Sequence, residues 1–135
     1  MKKSNLNLSN LVLNKLFAVN TINKSNKQMV IRKGRFTYAF ALKLEGTTIY
    51  KCNGVEYVSN RHTLLVISKN TDYTWFCEEL GKCIMVEFDA DFDGQTFDFY
   101  PIALNAQNEQ EIARLFNLMA HIWDSKKNNY ILRCK

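Results

Sequence analysis

The chain has 135 residues, 47% of them hydrophobic and 13% aromatic, which supports one globular domain with a real core and argues against disorder. The net charge of +5 is unevenly held: residues 1–44 carry nine Lys and Arg and no acid, whereas residues 45–135 carry nine Lys and Arg against thirteen Asp and Glu. A lone proline, Pro101, excludes a proline-rich linker, and no apolar run approaches the ~20 residues that span a bilayer.

The basic character thus belongs to an N-terminal arm, residues 1–34. Such an arm can reach phosphate or an acidic surface, its own body included, or stand as a solvated leader. Met1-Lys2-Lys3 opens like a signal peptide, but Asn5, Asn7, Ser9, Asn10 and Asn14 break up the apolar residues. The longest apolar run, Leu16 to Val19, falls short of the roughly 7–15 residues of a secretory core, so a cytoplasmic location is expected. There the four cysteines, Cys52, Cys77, Cys83 and Cys134, are expected as free thiols. They form no Cys-x-x-Cys and have no histidine at ligand spacing, so neither a metal nor a cofactor is expected. Cys77 and Cys83 flank a turn and could face each other.

Residues 4–20 carry Leu8, Leu11, Val12, Leu16 and Val19 at helix-like spacing, which fits a short helix or an irregular arm on the body. Residues 20–34 are polar and read as a loop. Alternation then begins: Phe36, Tyr38, Phe40, Leu42 and Leu44 share one face, with Arg35, Thr37 and Lys43 on the other. Asn53-Gly54, between apolar runs at 48–52 and 55–58, is a strong hairpin signal, since both positions need positive φ. Leu64 to Ser68 is nearly all apolar and reads as a strand covered on both faces. Tyr73, Trp75 and Cys77 alternate, Cys83 to Phe88 forms a further strand, and Phe97 with Phe99 suggests one more. The links are too short for parallel crossovers, so the six or seven strands predict an antiparallel sandwich or small barrel over 35–104.

Residues 105–135 change period. Ile112, Leu115, Phe116, Met119, Ile122 and Trp123 recur at helical spacing, with Asn108 and Glu111 as a capping pair and Leu118 outside the main stripe. Asn128-Asn129 should end or bend this helix. Tyr130 to Lys135 looks like the start of another, so the natural chain is expected to continue.

Tyr38 to Phe88 resembles the effector-binding, cupin-like barrel of AraC-type transcription regulators. The resemblance lies in the Gly46 turn, the Tyr50–Asn53-Gly54–Tyr57 hairpin, the Leu64-Leu65-Val66-Ile67 strand, the Asp72-Tyr73 turn and the strand from Cys83 to Phe88. Glu111 to Trp123 and Tyr130 to Lys135 look like the helical region that joins this barrel to a DNA-binding domain. The resemblance implies a mainly β fold, an antiparallel cupin-like barrel (double-stranded β-helix) with C-terminal helix. It also implies a small-molecule effector such as a sugar or related metabolite, a homodimer paired through the helical stripe, and DNA binding only by a helix-turn-helix domain not in this chain. The metal-binding histidines of cupin enzymes are not matched: only His62 and His121 occur, and Tyr73 stands near the third histidine position. No catalytic residue is assigned. A free-standing cupin-like enzyme, such as a sugar isomerase, and an orphan binding barrel are the alternatives.

Tyr38, Tyr50, Tyr57, Tyr73 and Trp75 are the candidate ligand-binding wall, because these side chains offer a flat apolar face plus a polar tip. Glu87 is the candidate acceptor for ligand hydroxyls. Asp89, Asp91, Asp93 and Gly94 match the opening of a calcium loop, but its twelfth position is Tyr100 rather than Glu, so they read as an acidic connection.

Overall fold

Among the described residues, 12–23 and 29–133 of a computed structural model, nine strands precede one helix. The strands are β1 (Val12–Asn23), β2 (Met29–Arg32), β3 (Tyr38–Lys43), β4 (Thr47–Cys52), β5 (Val55–Ser59), β6 (Thr63–Ile67), β7 (Tyr73–Glu79), β8 (Lys82–Asp91) and β9 (Phe99–Ala103). The helix α1 is Ala106–Arg133. One sheet runs β1-β8-β3-β6-β9 and the other β2-β7-β4-β5, with every pair antiparallel. The first eight strands interleave as a two-sheet jelly roll. The mainly β, antiparallel barrel with a C-terminal helix is the architecture expected from the sequence. No helix among the described residues is long and apolar enough to cross a membrane.

The β4–β5 hairpin turns at Asn53 (φ 50°) and Gly54 (φ 78°), the pair of positive values that its Asn-Gly sequence favours. β6 is buried at Leu64, Leu65, Val66 and Ile67, hence on both faces, as its unbroken apolar run predicts. Its inward face joins the barrel interior. Its outward face joins two covered patches on the first sheet. Under α1, Phe116 and Ala120 pack on Val19, Leu42, Leu64, Ile84 and Val86. Beyond the helix, Phe92 and Phe97 cover Val66, Phe88 and Tyr38.

Several sequence expectations are corrected. Residues 12–20 are neither helix nor irregular arm but most of β1, paired with β8; residues 4–11 lie outside the described residues. The expected loop 20–34 contains the end of β1 and all of β2. Phe36 precedes β3 and is 94% exposed, so it does not share the covered face of Tyr38, Phe40 and Leu42. The helix begins a turn earlier than expected: Asn105 Oδ1 accepts the N–H of Asn108 at 2.9 Å, which makes Asn105 the N-cap. The helix also continues through Asn128 and Asn129 to Arg133.

Two turns press backbone to backbone at one end of the barrel. A Cβ at Gly46 (φ 78°) would collide with the carbonyl oxygens of Glu79 and Leu80, and one at Gly81 with that of Glu45. Gly46→Ala adds a strained positive φ to that collision and is expected to destabilise the chain by about 1–3 kcal/mol, read as a lower denaturant midpoint. Gly54→Ala, where nothing lies within 4 Å of the added carbon, isolates the φ effect alone.

Candidate functional site

Period-two alternation fixes which side chains look into the barrel, and the strand registers sort them into tiers. At the end closed by the Gly46 and Gly81 turns, Lys43 and Cys83 pair on the first sheet. Opposite them on the second sheet stands the row Cys77, Thr48, Ser59. The middle tier sets Ala41, Met85 and Leu65 against the aromatic row Trp75, Tyr50, Tyr57. The far tier holds Ala39, Glu87, Ile67 and Phe99 on the first sheet. Ala39 and Ala41 on the first sheet are small where the second sheet presents large aromatic side chains, a common way to fill a small barrel.

Phe99 is the hub of the aromatic wall. Its ring stacks on Tyr57 (4.8 Å between centroids, 15° between planes), meets Tyr73 edge-on at 5.2 Å and lies 5.4 Å from Tyr50. Such contacts add about 0.5–1.5 kcal/mol per pair beyond burial. Burial also pushes the Tyr50 phenol well above its ordinary range, so Tyr50 acts as a neutral hydroxyl. Burial raises the Cys52 thiol too, helped by nearby Asp98 and Asp72, and Cys52 donates to the Asp72 carbonyl at 3.4 Å.

Arg35 enters the far tier from the segment before β3 and is almost wholly buried. Its Nη2 donates to Glu87 Oε1 at 2.8 Å, its Nη1 to the Tyr73 hydroxyl at 3.0 Å, and its Nε to the Thr37 carbonyl at 3.0 Å. Asn20 Nδ2 donates to the other Glu87 oxygen at 3.3 Å, and Thr37 Oγ1 adds a bond to Oε1 at 3.3 Å. The pair therefore ties β1, β7 and β8 together across the two sheets.

Tyr50, Tyr57, Tyr73, Trp75 and Glu87 of the sequence-predicted set come together on this inner surface. Tyr38 does not: it lies on the outward face of β3, 4.6 Å from Phe92 and 5.9 Å from Phe88 between ring centroids. Sequence reasoning missed Arg35, Lys43 and Phe99 as inward groups. Of the helical stripe, Ile112, Phe116, Met119 and Trp123 pack on the first sheet. Leu115 and Ile122 instead share an outward face with Leu118, at 39%, 55% and 46% exposure.

The remaining polar clusters lie outside the barrel. Asp89 pairs with Lys69 at 3.4 Å, and Asp91 accepts the Asp93 N–H at 2.8 Å in a tight turn. Among the described residues, no three His, Cys, Asp or Glu converge as metal ligands. At the start of α1, Glu109 meets His62 Nδ1 at 2.8 Å and Arg61 Nε at 3.3 Å, beside a cleft rimmed by Leu44 and Glu45. The His62 hydrogen bond, followed by charge attraction from His62 and Arg61, holds the Glu109 carboxyl below its ordinary value. A lowered folded-state pKa adds stability above the unfolded value, and that stability is lost as pH falls through the lowered one. Acid titration of thermal stability should therefore lose a component in Glu109→Gln, most visibly at low ionic strength.

No protein-family model and no curated protein sequence matches the chain. Solved structures do match its fold. Wild-type ToxT from Vibrio cholerae strain SCE256 with unsaturated fatty acid bound aligns over 85% of this chain and 49% of its own, with TM-score 0.59 and 12% identity. A second ToxT crystal form aligns over 76% of this chain and 48% of its own (TM-score 0.60, 12% identity). An apo lysine-to-alanine variant of ToxT aligns over 74% and 46% (TM-score 0.57, 10% identity). The likeness is one of fold, and this chain spans slightly less than half the length of the structures it matches.

Proposed function

We propose that this chain is the effector-sensing part of a transcription regulator of the AraC type. A small molecule occupies the barrel interior, α1 joins the barrel to a second copy of the chain, and DNA is bound by a helix-turn-helix domain outside it. The effector acts by favouring one arrangement of barrel and helix over another. The observation that carries this reading is the tiered interior, in which an aromatic wall separates two polar ends. The fold shared with ToxT, one structure of which holds an unsaturated fatty acid, supports a ligand with a long apolar body. A sugar fits less well, because both oxygens of Glu87 are engaged by Arg35, Thr37 and Asn20.

The test is a thermal-shift screen of sugars and fatty acids against the 135-residue chain. A true ligand at a hundred times its Kd stabilises by about 2.7 kcal/mol, a shift of several degrees in Tm. A flat response to both classes would remove the sensing role. The helix role is tested by sedimentation at high micromolar concentration. A dimer that Leu118→Glu with Ile122→Glu converts to monomer is the expected outcome, since the outward stripe of Leu115, Leu118 and Ile122 is apolar and uncovered by the barrel.

A further inference from the structure

The three most exposed large apolar side chains among the described residues all lie between Met29 and Phe36: Phe36 at 94%, Ile31 at 67% and Met29 at 60%. The fold imposes this exposure. β2 is an edge strand of the second sheet, and its register with β7 aligns Val30 and Arg32 with the inward residues Trp75 and Tyr73, which leaves Met29 and Ile31 on the outer face. The turn after β2 is pinned at three points. Asp72 Oδ1 accepts the Gly34 N–H at 2.6 Å, the Thr71 carbonyl accepts the Arg35 N–H at 3.5 Å, and the Arg35 carbonyl accepts the Asn70 N–H at 2.6 Å. With Arg35 drawn inside to Glu87, the next side chain, Phe36, is sent outward. The charge of the segment is equally one-sided. Residues 1–44 hold nine Lys and Arg and no acid, and Arg32 and Lys33 stand exposed between Ile31 and Phe36. The acids of this side offer little opposition: Asp72 is engaged by Gly34, Glu56 pairs with Lys51 on the opposite edge of the sheet at 3.9 Å, and Glu78 lies past Phe76, the partner of Met29. Grouped apolar side chains left in water forgo the stabilisation of burial, and a basic border around them marks a surface that meets an anionic one.

We propose that the β2 edge and the turn to Phe36 dock on the surface of an anionic lipid bilayer: Phe36, Ile31 and Met29 enter the boundary between headgroups and acyl chains, and Arg32 and Lys33 meet the negative headgroups. Apolar tips beside basic groups are the combination that holds a protein in this boundary. The inference is independent of what occupies the barrel. A bilayer fits the segment better than a nucleic acid, because phosphate contacts come from polar and basic side chains and neither Ile31 nor Met29 gains anything there. It fits better than a second copy of the chain, because a twofold contact through this segment would bring Arg32 and Lys33 against their like. The attachment is peripheral, since it uses a strand edge and a turn.

The experiment measures flotation of the 135-residue chain with vesicles of phosphatidylcholine alone and of phosphatidylcholine containing about a quarter phosphatidylglycerol. In low salt the anionic vesicles should bind at least about tenfold more tightly than the neutral ones, and the difference should shrink as salt rises. Phe36→Ser with Ile31→Ser should weaken anionic binding about 10- to 100-fold. Arg32→Gln with Lys33→Gln should weaken it about 10- to 25-fold, since each basic group near such a surface contributes roughly fivefold. Both paired variants change exposed side chains and should melt as wild type does. Phe36→Trp should add a blue-shifted emission on anionic vesicles to that of Trp75 and Trp123. Equal binding to both vesicles, binding to neither, or anionic binding that survives Phe36→Ser with Ile31→Ser would overturn the assignment. A DNA duplex bound through Arg32 and Lys33 with vesicles left unbound would make the surface a nucleic-acid contact. An assembly in lipid-free solution that Phe36→Ser with Ile31→Ser breaks up would make it a contact between copies. Either result would overturn the bilayer assignment.

Discussion

Glu87→Ala should lower the stability of the chain by about 3–5 kcal/mol, because it leaves the Arg35 guanidinium buried without its counter-charge. The lower part of that range is expected, since the Glu87 side chain keeps 22% of its exposure while that of Arg35 keeps 1%. The effect belongs to the unpaired arginine and not to the lost attraction, so the double variant Arg35→Met, Glu87→Met should recover most of the loss. Tyr73→Phe and Asn20→Ala remove single neutral partners of the same network and should each lower stability by about 0.5–1.5 kcal/mol. Urea midpoints at neutral pH measure all four. A Glu87→Ala chain as stable as wild type would mean that water reaches Arg35 freely in the folded barrel.

Phe116→Ala should be comparably damaging, at about 3–5 kcal/mol, the usual range for deleting a buried phenylalanine. Its ring is the deepest of the helix side chains and fills the space above Val19, Leu42, Ile84 and Val86. Leu118→Glu, two residues along the same helix, should change monomer stability by less than about 0.5 kcal/mol, since it lies on the outward face. Circular dichroism melts of dilute protein separate the two faces. If both substitutions unfold the chain equally, the outward stripe is itself needed for folding.

The strands from β3 onward were legible because alternation, the Asn53-Gly54 turn and the unbroken run of β6 each have a single structural solution. β1 was not, and its disguise has a cause. Its pairing with β8 shifts register between Leu13 and Lys15 and again between Leu16 and Ala18. Each shift inserts a residue into the period of two, so Leu13, Leu16 and Val19, which pair with Ala90, Phe88 and Val86 on one face of β8, fall at spacings of three and imitate a helix. The site was half legible for a related reason. Residue class shows that β3 alternates but not which face turns inward. The bulky face of Tyr38, Phe40 and Leu42 lies outward, under the helix and the 92–98 segment, while Ala39, Ala41 and Lys43 look into the barrel. Two alanines between charged residues were the available signal, because a solvent-facing strand would more often carry polar side chains there. The N-cap was misplaced because Asn105 and Asn108 are alike in sequence. Only the fold, which draws Glu109 to His62 and Arg61, separates them.

β8 is a partition one strand thick. Cys83, Met85 and Glu87 look into the barrel interior, and Ile84 and Val86, the residues between them, touch the helix on the far side. Whatever pushes on the inner row displaces the outer row by the same movement, because both hang from one backbone. On the sensing role proposed above, a push from inside would cross to the helix through a wall and not along a wire, and it should be felt first where Phe116 rests against that wall.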